Sequence, residues 1–368
     1  MRARLAVVSL LLVSPAHAGI IHVSDFAELS AAIDSANLDS GSTIYLAPGT
    51  YSGGALPFIM ASTTFQLDPA FNAPAGSAIL NTIPTGSKGL LTVDAATNVN
   101  LTVDGLTFQN ASISAGLGGN AAGIRYQGSG AAMLTVSNSI FLNNQDGILT
   151  GSGVAPDQEQ LAISIVNSLF SNNGAPDGIE HALYAYGQSL SVSGSTFCGT
   201  IGGHDIKSRA AVTTITGSFL YDGAAAPGQP LCGAGSASYA VDAPNGGQLT
   251  LTDNLLVQDD QTQNFAMVSY GEEGLLYANN SLIASGDTFT STVSGRGIQE
   301  FSGGTPSCVT PVQLSNTSFS ANLIPVTPDG CFSNSSVQLD EPDNLAMVMA
   351  SLLFVISLRY RRRVIKAA

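Results

Sequence analysis

Val136-Ser-Asn-Ser-Ile-Phe141 is a phrase that returns along most of this sequence. Each copy holds an aliphatic residue, a spacer, Asn or Gly, usually Ser, and then a large apolar residue. The other copies are Val103–Phe108, Ile165–Phe170, Val192–Phe197, Ile215–Leu220, Leu251–Leu256 and, more loosely, Ala278–Ile283. Subtracting the final positions of successive copies gives steps of 33, 29, 27, 23, 36 and 27 residues. A unit of this size, rich in β-branched and turn-forming residues, is typical of a solenoid.

The residues inside each copy alternate between apolar and polar with a period of two, so the repeated element is a strand and not a helix. Each strand offers one apolar face, which is buried only by stacking on neighbouring strands. The sequence therefore predicts an all-β fold, a single-stranded right-handed parallel β-helix with an N-terminal capping helix. The capping helix is predicted from Asp25 to Ala36, where apolar residues follow a helical spacing and Ser24 or Asp25 can cap the first turn.

Four segments are expected from the composition along the chain. Residues 1–18 are predicted to be a secretory signal, because two arginines precede the apolar run Leu5–Val13 and Ala16-His17-Ala18 is a small-x-small cleavage site. Residues 19–300 form the predicted β-helix. Residues 301–341 are predicted to be an irregular last coil with a Ser-, Asn- and Pro-rich spacer, and residues 342–368 hold a short apolar segment and a basic cluster.

The charge of the chain is unevenly distributed. All 26 acidic residues but only five basic residues lie between Asp25 and Asp343, which gives this stretch a formal charge of −21. Such a surface repels nucleic acid and anionic lipid, so both are excluded as partners. It can attract divalent cations, or it can simply be the self-repelling surface of a soluble secreted protein.

The four cysteines are expected to form disulfides, because the signal directs the chain to an oxidising compartment. Three pairings are possible in principle. We favour Cys198 with Cys232 and Cys308 with Cys331, since the members of each pair lie within a coil or one coil apart. The chain has no CxxC spacing, which argues against a zinc site.

The C-terminal segment begins at Glu341-Pro342, continues with the apolar run Leu345–Leu358 and ends in Arg359-Tyr-Arg-Arg-Arg363. As a helix, the apolar run would cover roughly 21 Å at 1.5 Å per residue, which is short of the ~30 Å hydrocarbon core of a bilayer. The three features together resemble the PEP-CTERM sorting tail of Gram-negative bacteria. That resemblance implies an exosortase-type processing enzyme as partner and removal of the tail. The alternative is a permanent anchor at the inner membrane with its basic end in the cytoplasm.

The N-terminal order of a short helix followed by the strand Ser42–Tyr51 resembles that of many pectin-lyase-like proteins. With the signal and the tail, this resemblance implies a protein of the periplasm, cell surface or extracellular space that contacts the membrane through its tail only. Polysaccharide is the partner that the resemblance implies.

A second series of strands indicates where chemistry could lie. Taking Leu183, Ile206, Val241 and Val268 as inward residues gives steps of 23, 35 and 27, which match the coil period. Alternation then sends the residue after each of them outward, with about 4.8 Å between rungs. These outward residues form the predicted outer column of Tyr184, Lys207, Asp242 and Ser269.

Lysine and arginine beside carboxylates are the groups that a polysaccharide lyase needs. A base takes the proton next to a uronate carboxylate, while a cation neutralises the enolate that develops. The predicted catalytic residues are Lys207, Arg209, Asp205 and Asp242, and the predicted substrate-binding residues are Tyr184, Tyr186, Glu272 and Glu273. Lys207-Ser208 on a β-helix strand is similar to chondroitinase-B-like and alginate lyases, and this similarity implies calcium beside a Lys–Arg pair.

Two functions stay open at this point. One is an enzyme acting on acidic polysaccharide, a lyase by the chemistry above. The other is a non-catalytic surface or biofilm-matrix protein that binds exopolysaccharide, in which Lys207 and Arg209 only form surface salt bridges worth about 0–1 kcal/mol each. His181 and His204 align with inward residues, which favours satisfied core histidines over catalysts. Asp259-Asp260 can bind calcium or cap a loop.

Overall fold

The computed structural model describes residues 18–223 and 230–340, so most of the predicted signal peptide and the tail beyond Asp340 lie outside the described residues. Its strands form one 21-stranded sheet and one 10-stranded sheet. Strand pairing is parallel throughout these sheets, apart from the short strand Thr305–Pro306. The prediction of a parallel β-helix is confirmed. Within the described residues, no helix has the length and apolar character needed to span a bilayer.

The 21-stranded sheet contains two parallel ladders, and each coil from Ser42 to Ser291 contributes one strand to each of them. The strands of the first ladder are Ile20–Val23, Ser42–Leu46, Thr63–Leu67, Leu101–Asp104, Ala132–Ser137, Leu161–Val166, Ser189–Ser193, Val212–Thr216, Gln248–Thr252, Ser281–Ser285, Val312–Ser320 and Phe332–Asp340. The strands of the second ladder are Gly49–Tyr51, Ala78–Leu80, Leu106–Gln109, Ile140–Leu142, Leu169–Ser171, Thr196–Cys198, Phe219–Asp222, Leu255–Gln258 and Thr288–Ser291. Parallel pairing thus continues beyond residue 300, to Asp340, with two register shifts between Leu314 and Thr317.

The 10-stranded sheet is the third ladder of the solenoid. Its strands are Gly89–Thr97, Ala122–Ser129, Asp146–Thr150, Leu183–Ala185, His204–Ser208, Tyr239–Ala243, Ala266–Tyr270, Gly295–Ser302 and Leu323–Thr327, with Thr305–Pro306 antiparallel to Gly295–Ser302. Three short 3-10 helices lie in the loops, at Pro69–Phe71, Ala115–Leu117 and Pro156–Gln158.

The repeated phrase is the tight corner between the first and second ladders. Its Asn, Gly or Asp adopts a left-handed backbone, with φ of 50° at Asn138, 57° at Gly194 and 54° at Asp253. Glycine has no Cβ to clash in this region, and Asn and Asp tolerate it better than other residues. The phrase therefore codes for a sharp turn at the same point of each coil.

The residue after that turn forms a continuous polar column along the solenoid. Its members, all buried, are Ser139, Ser168, Ser195, Ser218, Asn254 and Asp287. Each side-chain oxygen accepts the backbone N–H of the corresponding residue one coil earlier, at 2.9–3.3 Å. Because these N–H groups have left water, the column supplies hydrogen bonds that the turn itself does not make.

The apolar residue that ends the phrase points into the core. The rings of Phe108, Phe141, Phe170 and Phe197 stack with centroids 5.1, 4.6 and 4.5 Å apart and are fully buried. Leu220 and Leu256 continue the same register.

The alignment of the last copy at Ile283 is wrong. Ile283 pairs with Thr250 in the first ladder, and Phe289 is the residue that follows Leu256 in the core. The true copy is Ala284-Ser-Gly-Asp-Thr-Phe289, in which Asp287 takes the place of serine in the polar column.

The predicted N-terminal helix spans Phe26–Ala36. Asp25 is its N-cap, and its carboxylate accepts the N–H of Glu28 at 2.9 Å. Leu29 and Ile33 are buried and belong to the core, and the helix packs against the first two strands of the first ladder. That it covers the open end of the solenoid stays a prediction.

Both predicted disulfides are present. Cys198 is bonded to Cys232 and Cys308 to Cys331, each with a Cα–Cα distance of 5.4 Å. The first ties the end of a second-ladder strand to the loop of the following coil, as the spacing predicts.

Replacing Ser168 by alanine tests the polar column. The change removes the acceptor of the buried Ser139 N–H, so we expect a loss of about 1–3 kcal/mol in the free energy of unfolding. Ser191→Ala, on an exposed position of a neighbouring strand, should stay within about 0.5 kcal/mol of the parent. Equal effects of the two changes in urea denaturation would contradict the role given to the column.

Candidate functional site

The cationic side chains of the described residues all lie on or beside the third ladder. They are Lys88, Arg125, Lys207, Arg209 and Arg296. Lys88 immediately precedes the first strand of this ladder, and Arg209 immediately follows the strand His204–Ser208. Described strands of the first and second ladders carry no lysine or arginine. One face of an acidic solenoid therefore holds its positive charge.

The register of the third ladder matches the predicted spacing. Leu183, Ile206, Val241 and Val268 are paired in sequence and fully buried. The outer column is likewise in register, with Tyr184 opposite Lys207, Lys207 opposite Asp242 and Asp242 opposite Ser269. The catalytic and binding roles given to these residues stay predictions.

Lys207 lies at the centre of the outer column. Its Nζ is 3.5 Å from Oδ2 of Asp242 and 3.8 Å from Oε1 of Glu273. It also lies 5.5 Å from the centre of the Tyr184 ring. The side chain is only 14% exposed. Both carboxylate distances exceed those of good charge-assisted hydrogen bonds, so the ammonium group is attracted by two acids and tightly bound by neither.

Arg209 is held much more firmly. Its NH1 and NH2 donate to the two oxygens of Glu273 at 2.6 and 2.7 Å, NH1 also donates to Asn245, and Nε donates to the hydroxyl of Tyr184 at 2.8 Å. The guanidinium lies over the Tyr184 and Tyr186 rings. Burial acts to lower the pKa of Arg209, but its contacts with Glu273, Tyr184 and Tyr186 together outweigh it and the net shift is upward. The same bonds lower the pKa of Glu273.

Asp242 is buried beneath Lys207 and lies beside a histidine. Its Oδ2 is 3.3 Å from Nε2 of His204. Burial raises the pKa of Asp242 to about 7, although Lys207 acts to lower it. Burial lowers the pKa of His204 to about 3, so the imidazole is neutral near pH 7 and its Nε2–H can donate to Asp242. The carboxyl group of Asp242, which exchanges its proton near neutral pH, therefore lies next to the amine of Lys207.

His181 supports this pair from the preceding coil. Its Nδ1 accepts the N–H of His204 at 2.9 Å, and the two rings are stacked 4.7 Å apart. The ring also meets Tyr184 edge-on at 4.8 Å. Burial lowers the pKa of His181 well below its usual value. His181 is thus a neutral, hydrogen-bonded ring that positions His204.

Asp205 does not belong to this group, and its placement on the exposed face was wrong. Its side chain is fully buried and accepts the hydroxyl of Thr200 at 2.6 Å. Strict alternation fails where the chain enters the strand, because Asp205 and Ile206 are both fully buried. The equivalent residue is Ala182 in the preceding coil and Gly147 in the coil before that, where a Cβ would lie 2.8 Å from the ring of Phe170. Burial raises the pKa of Asp205 well above its usual value.

The remaining predicted residues lie near Lys207 and Arg209. Glu272 accepts the hydroxyl of Ser269 at 3.4 Å. The hydroxyls of Tyr184 and Tyr186 are 3.0 Å apart. Burial, and then the hydrogen bond with Tyr184, raise the pKa of Tyr186 to about 12. The structure thus brings together the predicted residues except Asp205.

The described residues do not fit calcium well. The one group of three potential ligands found among them is Glu300, Cys308 and Cys331, whose two sulfurs are joined in a disulfide. Asp259 Oδ1 accepts the N–H of Gln261, which is a loop-capping contact.

Three residues of this face were not predicted as site residues, namely Arg125, His204 and Tyr239. Arg125 extends the outer column through Leu149, which pairs with both Arg125 and Tyr184. Tyr239 is in register with His204, and their rings are 5.1 Å apart. The same coil spacing that aligned Ile206 with Val241 also aligns these positions, so the signal was present in the sequence.

The fold defines the chain as a parallel β-helix protein. No family model matches the sequence, and no curated protein matches it. Among solved structures it is similar to a PL6 family alginate lyase, AlyGC, with 15% identity and a TM-score of 0.47 over 89% of this chain and 40% of that one. This chain therefore spans less than half the length of that lyase.

Two further structures share the fold. Pectate lyase Pel9A is 14% identical with a TM-score of 0.45, over 89% of this chain and 80% of that one. The A-module of the Azotobacter vinelandii mannuronan C-5 epimerase AlgE4 is 15% identical with a TM-score of 0.41, over 89% of this chain and 98% of that one. At these identities the likeness concerns the fold and assigns no role to any residue.

The pH dependence of stability tests the environment of Asp242. The pKa of Asp242 is about 7 in the folded protein, against an ordinary value of 3.8. Its contribution to the stability of the fold is therefore fully present below pH 3.8 and is lost as the pH rises through about 7. The melting temperature should therefore fall less between pH 5 and pH 8 in Asp242→Asn than in the parent. Asp34→Asn, an exposed helix position, should keep the parental fall. An unchanged fall in Asp242→Asn would show that Asp242 titrates at its ordinary pKa.

Proposed function

We propose that this protein acts on an acidic polysaccharide bound along the third ladder. The observation that carries the proposal is the gathering of all the described lysines and arginines on that one face of an otherwise acidic molecule. A polyanion is repelled by the rest of the surface and finds fixed cations there. The two tyrosines beside Arg209 supply flat surfaces against which sugar rings can pack.

The proposed reaction is a β-elimination at a uronate. Lys207, as its neutral amine, takes the proton from the carbon next to the carboxylate and becomes an ammonium group, a double bond forms within the sugar ring, and the glycosidic oxygen leaves with a proton from an acid such as Tyr184. Arg209 neutralises the charge that develops on the carboxylate, which is the most demanding part of the step. Asp242 and His204 lie directly below Lys207 and hold the amine in place.

The second candidate is a non-catalytic protein that binds exopolysaccharide. The contacts of Arg209 favour it, because Glu273, Asn245 and Tyr184 already satisfy most of its donors. In this case Lys207 and Arg209 are parts of a stabilising network, and the polymer is held without being cleaved. The two candidates share a ligand and differ in chemistry.

Replacing Lys207 by alanine separates the candidates. If Lys207 is the base, the variant should lose all formation of unsaturated sugar ends, followed by ultraviolet absorbance with a panel of uronate polymers. The free energy of unfolding should change by no more than about 1 kcal/mol, because the ion pairs of Lys207 are long. Lys88→Ala, at the start of the same ladder, should keep parental activity.

Other results of this experiment have a clear meaning. New reducing ends without absorbance would indicate a hydrolase. Binding of the polymer by the parent without any product would reject the elimination and leave the matrix protein. Activity that survives in Lys207→Ala would reject Lys207 as the base.

We also propose that the protein is exported and that its tail is a sorting signal. The support is the pattern of residues 1–18 and of Glu341–Arg363, most of which lie outside the described residues, together with two disulfides that need an oxidising compartment.

Mass spectrometry of the protein released from its native cells tests this processing. We expect a chain that lacks residues 1–18 and ends near Glu341, because an exosortase-type enzyme would remove the tail. A surface protein that retains Arg361-Arg-Arg363 would contradict removal and indicate a permanent anchor.

A further inference from the structure

We infer that Arg209, beside Lys207, forms a binding site for one uronate carboxylate, and that Glu273 of the same chain occupies this site until the ligand displaces it. The inference rests on the proposed function for the nature of the ligand. It adds that the protein blocks its own site with a carboxylate.

Arg209 has partners besides Glu273 that hold its side chain and backbone in place. Arg209 donates to the Tyr184 hydroxyl and to Asn245, and its guanidinium lies 5.4 Å from the centre of the Tyr186 ring. The backbone N–H of Arg209 donates to Ala185 at 2.7 Å, and its carbonyl accepts the hydroxyl of Tyr277. A rigid, forked donor is therefore already aimed at the place where a carboxylate binds.

Glu273 differs from every other partner of these cations by its exposure. Its side chain is 46% exposed, whereas the side chains of Lys207 and Arg209 are 14% and 11% exposed. It lies over the two cations on their solvent side. Each of its oxygens takes one N–H of the arginine fork, and one of them also faces Lys207. This two-oxygen arrangement is the one that a uronate carboxylate would adopt.

The turn that carries Glu273 lets the side chain leave without unfolding. Its backbone is fixed, because Glu273 N–H donates to Pro244 and Gly274 N–H donates to Gly271. Rotation of one side chain into solvent is therefore enough to open the site. Because the Glu273 side chain is 46% exposed, water solvates its carboxylate once it has rotated away, which offsets part of the loss of its two bonds with Arg209. The Glu273 carboxylate is thus a removable occupant and not a permanent part of the site.

The apparent affinity of a ligand that must displace Glu273 equals its affinity for the open site multiplied by the fraction of time that the site is open. If Glu273 occupies the site for most of the time, removing its charge should tighten binding by roughly five- to tenfold. Glu273→Gln keeps the size of the side chain and loses the anion. Glu273→Asp keeps the anion but is one methylene shorter, so it should hold the cations less well and give an intermediate gain.

The test is calorimetric titration of the full-length chain with trigalacturonate and trimannuronate, and with an uncharged trisaccharide. Asp34→Asn is the control for net charge, since it removes one negative charge from the N-terminal helix. We expect Glu273→Gln to bind at least one of the two uronate trimers roughly five- to tenfold more tightly than the parent. Asp34→Asn should bind as the parent does, and the affinity for the uncharged sugar should not change. Melting temperatures confirm that each variant is folded.

The outcomes distinguish this inference from the proposed function. If the parent binds a uronate trimer and Glu273→Gln binds it no more tightly, self-occupation is wrong while the polysaccharide function stands. An equal gain in Glu273→Gln and Asp34→Asn would also overturn it, because net charge alone would then explain the gain. If no variant binds either trimer, both the inference and the uronate function fail. Should Glu273→Gln fail to fold, an unimproved affinity in Glu273→Asp overturns the inference.

Discussion

One hydrogen bond per coil, from a buried backbone N–H to the side chain below it, keeps this solenoid in register. The acceptors are Ser139, Ser168, Ser195 and their successors in the polar column. A shift of one residue would leave each of these N–H groups unpaired in the core, and each loss costs about 1–3 kcal/mol. The column thereby fixes where the phenylalanine stack lies inside and where the third ladder presents its side chains.

The parts of the fold that follow strict alternation could be predicted from the sequence. The four stacked phenylalanines and the run from Leu183 to Val268 needed only a period of two and a constant coil register. Asp205 could not be placed this way, because the chain bends where it enters the strand and two consecutive side chains turn inward. Phe289 was missed because Asp287 replaces the serine of the phrase, although its carboxylate makes the same hydrogen bond.

The composition of the site was easier to predict than its accessibility. Spacing brought Tyr184, Lys207 and Asp242 together, since residues on successive rungs must be neighbours. The contact between Arg209 and Glu273 joins residues 64 positions apart, and it depends on a loop outside the ladder. Side-chain burial depends on such loops, which carry no periodic signal. The sequence therefore indicated which groups meet but not how far water reaches them.

The three corners of each coil are not equivalent. From Leu101 to Ser291 the corner between the first and second ladders contains a turn of one or two residues, for example residues 138–139, 167–168 and 253–254. Over the same stretch the other two corners absorb the differences in coil length, from the three residues 143–145 to the loops at residues 172–182 and 271–280. Both of these corners border the third ladder. Insertions can therefore accumulate on either side of the candidate site and reshape its walls over evolutionary time, while the opposite corner keeps the stack in order.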